Sequence, residues 1–223
     1  MILHDVFWLS NKLLKACGGR LVEALVVIAT GIFTLGSFPP WWWHAKVVVL
    51  MNPGKTAAQQ KMAGAWRPIA LLSCVGKVLE AIVAERVALV AEEHGLLPEG
   101  LMWKRKGRST EFAIMVMTDT VHTAWELGAI ASILLLDLKG AFDRVNHRWL
   151  LHTLWEKRLP QRLLQWFESF LTNRRESLLF DGKSSREFQM LTGVPQGSPL
   201  SPILFLIFIA TVYVLEVSRV TCG

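Results

Sequence analysis

The stretch that most constrains the fold covers residues 131–143, where an apolar run stops abruptly at a carboxylate. Residues 133–136 read Ile-Leu-Leu-Leu, a length typical of a buried strand, and Asp137 follows directly. A buried, ionised carboxylate is costly unless a cation or hydrogen bonds compensate its charge. The next apolar residues fall near helical spacing: Phe142, Val145, Trp149 and Leu154. Asp137 is therefore predicted at a strand-to-helix switch, where α/β proteins bind ligands, or alternatively as the cap of the following helix.

A second informative stretch, residues 193–202, reads Gly-Val-Pro-Gln-Gly-Ser-Pro-Leu-Ser-Pro. Its glycines and prolines predict a fixed loop that opens a helix, with Ser201 as the N-cap and Pro202 at the first helical position. The apolar run from residue 203 to residue 213 then predicts that this helix is buried.

Local patterns predict further elements. The β-branched residues 46–50 predict a strand, and Asp181-Gly182 predicts a hairpin turn. A long helix is predicted from Ser73 to about His94, and an amphipathic helix over residues 163–171. Charged residues and histidines without metal-site spacing are interpreted as solvated surface groups: Lys77, Glu80, Glu85, Arg86, His147, His152, Glu156 and Arg158.

The first two stretches together resemble the first and second palm motifs of reverse transcriptases from non-LTR (LINE-like) retrotransposons. Residues 66–73 with Lys77 and Glu80, and residues 106–110, resemble two fingers motifs of the same family in the expected order. The resemblance runs from Ser37 to Tyr213. It implies an α+β fold, the fingers and partial palm of a right-hand polymerase. The implied division is an N-terminal helical extension (1–36), a fingers-like region (37–128) and a partial palm with the first two palm motifs only (129–223).

The resemblance also implies a chemistry, RNA-directed DNA synthesis by nucleotidyl transfer with two Mg²⁺ ions. Asp137 would be the catalytic metal ligand, with the backbone carbonyl of Leu138 as a second contact. The implied partners are an RNA template, a DNA primer and a dNTP, and the implied location is intracellular and nuclear. The residues implied to bind the nucleotide are Lys55, Arg67, Phe142, Gln196 and Gly197.

Two of these nucleotide contacts have specific interpretations. Phe142 matches the aromatic position that lies under the sugar and excludes a 2′-hydroxyl, and core packing is its alternative role. Gly197 would leave room for the backbone to approach template or nucleotide.

The sequence departs from the family pattern after the second palm motif. The family takes further metal ligands from an aromatic-x-Asp-Asp hairpin at that point, whereas no aspartate occurs after Asp181 in this sequence. One carboxylate cannot hold two magnesium ions. We therefore expect this polypeptide alone to lack polymerase activity.

A basic cluster provides the candidate nucleic-acid contacts. Lysine and arginine number 24 against 18 acidic residues, and four basic residues lie together in one predicted loop: Lys104, Arg105, Lys106 and Arg108. Such a cluster suits phosphate groups without reading base sequence, and a solvated turn is the alternative. A different class of function, a non-catalytic nucleic-acid-binding remnant, would use this cluster and Arg67 without chemistry.

Two apolar runs, residues 21–35 and 203–217, raise a membrane-associated protein as a third class. Both fall short of the roughly 20 residues that span a bilayer, so we expect buried core helices and no membrane. The three cysteines, Cys17, Cys74 and Cys222, are scattered and lack metal-site spacing, which indicates reduced thiols in an intracellular protein.

Overall fold

The computed structural model describes residues 11–54, 56, 58–105, 107–135, 137–138 and 140–212, and this part of the chain is a mixed α+β structure with a small sheet. Its α-helices are α1 (Asn11–Ala16), α2 (Gly18–Leu35), α3 (Cys74–Glu93), α4 (Thr110–Glu126), α5 (His147–Glu156), α6 (Gln161–Leu171) and α7 (Ser201–Ala210). Its strands are β1 (His44–Met51), β2 (Trp66–Leu71), β3 (Arg175–Phe180), β4 (Lys183–Ser184) and β5 (Phe188–Gln189).

The sheet has the strand order β2-β1-β3-β4, and β5 also pairs with β3. Strand β1, which confirms the strand predicted over residues 46–50, is antiparallel to β2 and parallel to β3, with His44 opposite Arg175. Strands β3 and β4 are joined by Asp181 and Gly182, both at positive φ (50° and 71°), which confirms the predicted hairpin turn.

The main hydrophobic core is formed by α3, α5, α6 and α7 together with buried aromatic residues. It contains Phe38, Trp42, Leu79, Val83, Leu150, Leu154, Trp166, Phe170, Leu204, Leu206 and Ile207. Helices α6 and α7 confirm the predicted amphipathic helix and the predicted buried helix. The core and the β1–β3 pairing both draw on the fingers-like range 37–128 and the palm-like range 129–223, so those ranges share one packed interior.

Helix α3 begins where the sequence predicts, but its buried stripe includes a charge. Ser73 caps the helix by accepting a hydrogen bond from the Gly76 amide at 3.4 Å. Glu80, predicted to be solvated, is only 1% exposed, so that prediction is wrong. The physical reason is its position on the helix. Val83 and Val87 follow Glu80 by three and seven residues, so all three side chains lie on the same buried face of α3.

Helix α2 is not the buried core helix that its apolar sequence predicts, because Ile32 is its one buried residue within the described part of the chain. It meets α6 near its C-terminal end, where Arg162 Nη1 donates to the Thr34 carbonyl at 3.0 Å. By length and composition α2 could cross a membrane, with a mean hydropathy of 1.6 over 18 residues. A single such helix near the N-terminus is weak support for a membrane, since signal sequences and core helices share these properties.

The strand predicted over residues 133–136 is absent from the described residues around Asp137. Leu134 and Leu135 are 81% and 86% exposed, and Leu136 itself lies outside the described residues. A strand needs a neighbour for its backbone groups, and all strand pairing in the described residues is among β1 to β5. The prediction of a buried strand ending at Asp137 is therefore wrong for this structure.

The helix after Asp137 begins later than its apolar spacing predicts. Residues 140–144 form a turn, and α5 starts at His147. Asn146 caps it by accepting a hydrogen bond from the Trp149 amide at 3.0 Å, so the alternative prediction that Asp137 caps this helix is also wrong. Likewise, α7 is preceded by Leu200 as its N-cap position, and the predicted cap Ser201 is the first helical residue.

Candidate nucleotide-binding site

The loop of residues 193–200, which we name the Pro-Gln-Gly loop, is joined at its start to the turn that precedes α5. The amide of Gly193 donates to the Val145 carbonyl at 2.8 Å, and the amide of Val194 donates to the Phe142 carbonyl at 2.9 Å. His147, predicted to be a surface residue, is half-buried and places its Nε2 2.6 Å from the Gly193 carbonyl oxygen. These contacts hold the first residues of the loop against the turn that follows the first palm-like motif.

The second half of the Pro-Gln-Gly loop lies against strand β2. The amide of Ala70 donates to the carbonyl of Gln196 at 2.7 Å. Gly197 has φ +136°, and a methyl group there would overlap the Ala70 carbonyl oxygen. Gly197 is thus needed because the backbone of β2 approaches it closely. The predicted approach of the Gly197 backbone to template or nucleotide stays a prediction.

A cleft of about 190 Å³ opens between this loop, β2 and the turn before α5. Its lining includes Pro68 and Ala70 of β2, Gln196 of the loop, and the carboxylates Asp143 and Glu176. Burial raises the pKa of Glu176; the charge of Asp143 raises it further, and the charge of Arg174 opposes both. Two carboxylates and one amide therefore face the same small, partly desolvated space.

Arg67 directly precedes the lining residue Pro68 on strand β2, but it is not itself one of the residues that line the cleft. Its side chain is exposed. The structure therefore brings the strand of one predicted nucleotide contact, Arg67, and the loop of another, Gln196, to a common edge. Lys55 lies outside the described residues.

A buried ion pair lies beneath the loop. The Ser198 hydroxyl donates to Glu80 Oε2 at 2.5 Å, and Arg174 Nη2 is 3.7 Å from Glu80 Oε1. Both charged side chains are almost fully buried. Burial raises the pKa of Glu80, an effect opposed mainly by Arg174, and burial lowers the pKa of Arg174 to about 10, so the guanidinium is protonated at neutral pH.

Sequence reasoning missed this pair, although the resemblance included Glu80 as a motif residue. The available signal was the spacing of Glu80 with Val83 and Val87, which marks a buried helical stripe. Nothing local to Arg174 indicates its burial, because its neighbours Arg175 and Glu176 are charged as well.

The predicted metal ligands do not form a two-ion site in the described residues. Asp137 and Leu138 are both exposed. Within the parts of the chain that the structure describes, no group of three or more histidine, cysteine, aspartate or glutamate side chains is close enough to hold a metal ion. The carboxylates that do share a space, Asp143 and Glu176, are a pair only.

Phe142 packs with other aromatic rings of the protein itself. Its ring centroid is 5.2 Å from that of Phe205 on α7 and 6.2 Å from that of Trp103. These contacts are those expected if Phe142 packs in the core. Its predicted position under a nucleotide sugar stays a prediction.

The basic loop contributes fewer free cations than its sequence suggests. The half-buried Arg105 forms a bidentate pair with Glu92, with nitrogen-oxygen distances of 2.8 and 2.6 Å. It also donates to the carbonyls of Pro98 and Leu101. Arg108 Nη1 donates to the Glu99 carbonyl.

Arg105 directs its donors to Glu92 of helix α3 and to two loop carbonyls, so its predicted phosphate contact stays a prediction. The half-buried Arg108 is also turned toward the loop backbone. Lys104 is exposed and remains available to a phosphate, and Lys106 lies outside the described residues.

The Glu92–Arg105 pair predicts a specific acid sensitivity. Hydrogen bonding from Arg105 lowers the pKa of Glu92 below its ordinary value of 4.5. Because the folded-state pKa is depressed, the pair stabilises the fold above pH 4.5, and this contribution is lost as the pH falls through the lower folded-state value. We expect urea titrations from pH 7 to pH 3 to show a smaller acid-induced loss of stability in Glu92→Gln than in the wild type. Equal pH slopes in the two proteins would contradict it.

Comparison with known proteins extends the resemblance to most of the chain. The sequence model of the family described as reverse transcriptase (RNA-dependent DNA polymerase) matches residues 55–215. The "Probable RNA-directed DNA polymerase from transposon X-element" of Drosophila melanogaster is 30% identical over 205 residues, which cover 92% of this chain and 22% of that protein.

Two other relatives also come from mobile elements. The "RNA-directed DNA polymerase from mobile element jockey" of Drosophila funebris is 31% identical over 202 residues, covering 91% of this chain and 22% of that protein. A Pol polyprotein from the type-1 retrotransposable element R2 of Nasonia vitripennis is 29% identical over 150 residues, covering 63% of this chain and 13% of the relative. The chain thus spans about a fifth of the length of the X-element and jockey proteins. Since the family model matches well over half of the chain, the chain belongs to the reverse transcriptase (RNA-dependent DNA polymerase) family, in the branch found in non-LTR retrotransposons.

Proposed function

We propose that this chain provides the part of a non-LTR retrotransposon reverse transcriptase in which an RNA template, a DNA primer and a dNTP meet. The observation that carries the proposal is the hydrogen bond from the Ala70 amide to the Gln196 carbonyl. It holds the Pro-Gln-Gly loop and strand β2 along one cleft, with Gln196 in the lining. Arg67 lies on the same strand, one residue before the lining residue Pro68. A guanidinium fork suits a triphosphate, and an amide side chain can both donate to and accept from a nucleotide.

The proposal gives each region of the chain a role. Residues 1–36 are an N-terminal helical extension, residues 37–128 with β1 and β2 belong to the fingers, and residues 129–223 are part of the palm. Lys55, Lys104 and Lys106 are assigned to phosphate groups, and Phe142 and Gly197 to the surroundings of the nucleotide. A nuclear location accompanies this assignment, and a membrane role does not.

Reverse transcriptases as a family use divalent metals, and the proposal assigns Mg²⁺ as the ion and Asp137 with the Leu138 carbonyl as its ligands in the complete enzyme. The described residues do not fit two ions, because Asp137 stands exposed and no three-ligand group occurs among them. The chain's own described contribution is therefore to bind and orient nucleotide and nucleic acid.

Binding of a labelled DNA primer annealed to an RNA template tests the proposal. We expect the purified chain to bind this hybrid with an affinity that falls steeply with salt, because phosphate contacts release counterions. Replacing the exposed Lys104 by alanine should lower the salt slope by about one unit if it contacts one phosphate. The control is Lys157→Ala, because Lys157 is tied by its ammonium group to the Leu96 carbonyl at 2.7 Å. Binding that ignores salt, or equal slopes in all three proteins, would contradict the proposal.

The same complex, supplied with dNTPs and Mg²⁺, separates catalysis from binding. We expect no primer extension by this chain alone, since no group of three or more possible metal ligands occurs among the described residues. Extension that requires magnesium and disappears in Asp137→Ala would show that expectation to be wrong. Salt-sensitive binding indifferent to magnesium, to dNTP and to Asp137 would instead support a non-catalytic nucleic-acid-binding protein.

A further inference from the structure

The Pro-Gln-Gly loop depends on Ser198 for its shape. The Ser198 hydroxyl donates to Glu80 at 2.5 Å and at the same time accepts from the Leu200 amide at 3.1 Å. The Ser198 amide donates to the Pro195 carbonyl at 3.1 Å, and the Ser201 hydroxyl donates to that same carbonyl at 2.8 Å. The orientation of the Ser198 hydroxyl is therefore set by two hydrogen bonds. The same group of hydrogen bonds stabilises the turn that contains Gln196.

Glu80 is itself held in place by Arg174, whose position is set by α6. Arg174 Nε donates to the Phe170 carbonyl at 2.7 Å, and its guanidinium carbon lies 4.2 Å from the centre of the Phe170 ring. The same guanidinium lies 5.3 Å from the ring centre of Phe38. Because Arg174 Nη2 is 3.7 Å from Glu80, beyond hydrogen-bond distance, its effect on Glu80 is chiefly electrostatic.

We propose that Glu80 and Arg174 are positioning residues, which act through Ser198 to hold the Pro-Gln-Gly loop on strand β2 and so keep Gln196 in the cleft. The ionised carboxylate gives Ser198 a charge-assisted hydrogen bond, and Arg174 favours that ionised form. Both charged groups are buried, and neither is among the residues that line the cleft. That the cleft takes a nucleotide rests on the proposed function; the positioning itself does not.

The Ala70 amide is a direct reporter of this positioning. It donates to the Gln196 carbonyl, and its exchange with solvent deuterium requires the loop to leave β2. The variants Ser198→Ala and Glu80→Gln leave both members of that hydrogen bond unchanged. Ser73→Ala is the matched control, because it also removes a buried hydroxyl that caps α3 without touching the loop.

In the folded 223-residue chain we expect Ser198→Ala to speed Ala70 exchange by roughly tenfold or more relative to a core amide such as that of Leu154. Glu80→Gln, which keeps an acceptor but loses the charge, should give a smaller acceleration. Adding Glu80→Gln to Ser198→Ala should produce little further effect on Ala70, because Glu80 acts through the missing hydroxyl. Ser73→Ala should change Ala70 and Leu154 exchange together.

Two results would overturn the positioning role. One is that Ser198→Ala changes the exchange rates of the Ala70 and Leu154 amides by the same factor, as is expected for the control Ser73→Ala. The other is that the acceleration of Ala70 exchange in the double variant equals the product of the accelerations in Ser198→Ala and Glu80→Gln. A parallel dNTP titration of the wild type, read from the Gln196 side-chain amide signals with primer-template present, tests the proposed function separately. If the variants change Ala70 exchange as expected but the Gln196 signals do not shift with dNTP, the positioning role stands and nucleotide binding is contradicted.

Discussion

Replacing Gly197 by alanine is expected to lower the free energy of unfolding by about 2 to 4 kcal/mol, from backbone strain and overpacking together. Gly197 combines a φ of +136°, which L-residues rarely adopt, with a site where a methyl group would meet the Ala70 carbonyl oxygen. The obstacle is backbone of β2, so a side-chain rotation cannot relieve it. Urea unfolding followed by tryptophan fluorescence measures the loss.

The control for this substitution is Gly64→Ala. Gly64 has no atom within 4 Å of the added methyl group and no positive φ, so its replacement tests the change of residue type alone. We expect Gly64→Ala to change stability by less than about 0.5 kcal/mol. If Gly197→Ala proved as stable as Gly64→Ala, the close approach of the loop to β2 would be wrong.

Glu80→Ala is expected to cost about 3 to 5 kcal/mol, since it leaves Arg174 buried without its counter-charge. Two terminal nitrogens of Arg174 already lack hydrogen-bond partners among the described residues, and after loss of Glu80 the partly buried Glu176 is the remaining carboxylate whose charge acts on the guanidinium. Ser198 loses its acceptor in the same step. Urea unfolding again provides the measurement, with the exposed Glu85→Ala on the same helix as control.

A paired substitution separates charge burial from packing. Glu80→Met combined with Arg174→Met removes both charges, fills similar volume, and should recover most of the stability lost in Glu80→Ala. A double variant as unstable as the single one would show that packing of Arg174 on Phe38 and Phe170, rather than charge, dominates this part of the core.

The elements that the sequence predicted well are those decided by local pattern. The hairpin at Asp181 and Gly182 needs only two residues that tolerate positive φ. Helices α3 and α6 follow from apolar spacing and their flanking residues, such as Ser73. In each case the information lies within a few residues along the chain, which is why one sequence suffices.

The failures concern which elements pack against each other. The apolar residues 133–136 were predicted to form a buried strand, but burial needs a neighbouring strand, which the spacing of apolar residues cannot reveal. Helix α2 fails for the same reason, because apolar composition does not say how much of a helix is covered. The sequence predicted Arg105 as a phosphate-binding cation, and its ion pair with Glu92 of helix α3 is a tertiary contact that the local sequence does not indicate.

The candidate site divides along the same line. Gln196 and Arg67 were selected by resemblance, and the structure places their loop and strand at one cleft. The tertiary contacts around them were not predicted, including the backbone of Ala70 beside Gly197 and the Glu80–Ser198 hydrogen bond. Recognition of motifs identifies residues, whereas the contacts that hold those residues depend on distant parts of the chain.

The parallel pairing of β1 with β3 has a consequence for biosynthesis. His44 pairs with Arg175, so at ordinary elongation rates the ribosome adds roughly 130 residues, on the order of ten seconds of translation, between the start of β1 and the start of β3. The β1–β2 hairpin can assemble early, but the other edge of β1 stays open during that interval. Ribosome-associated chaperones can engage the nascent polypeptide at this edge during that interval, and faster translation would shorten it.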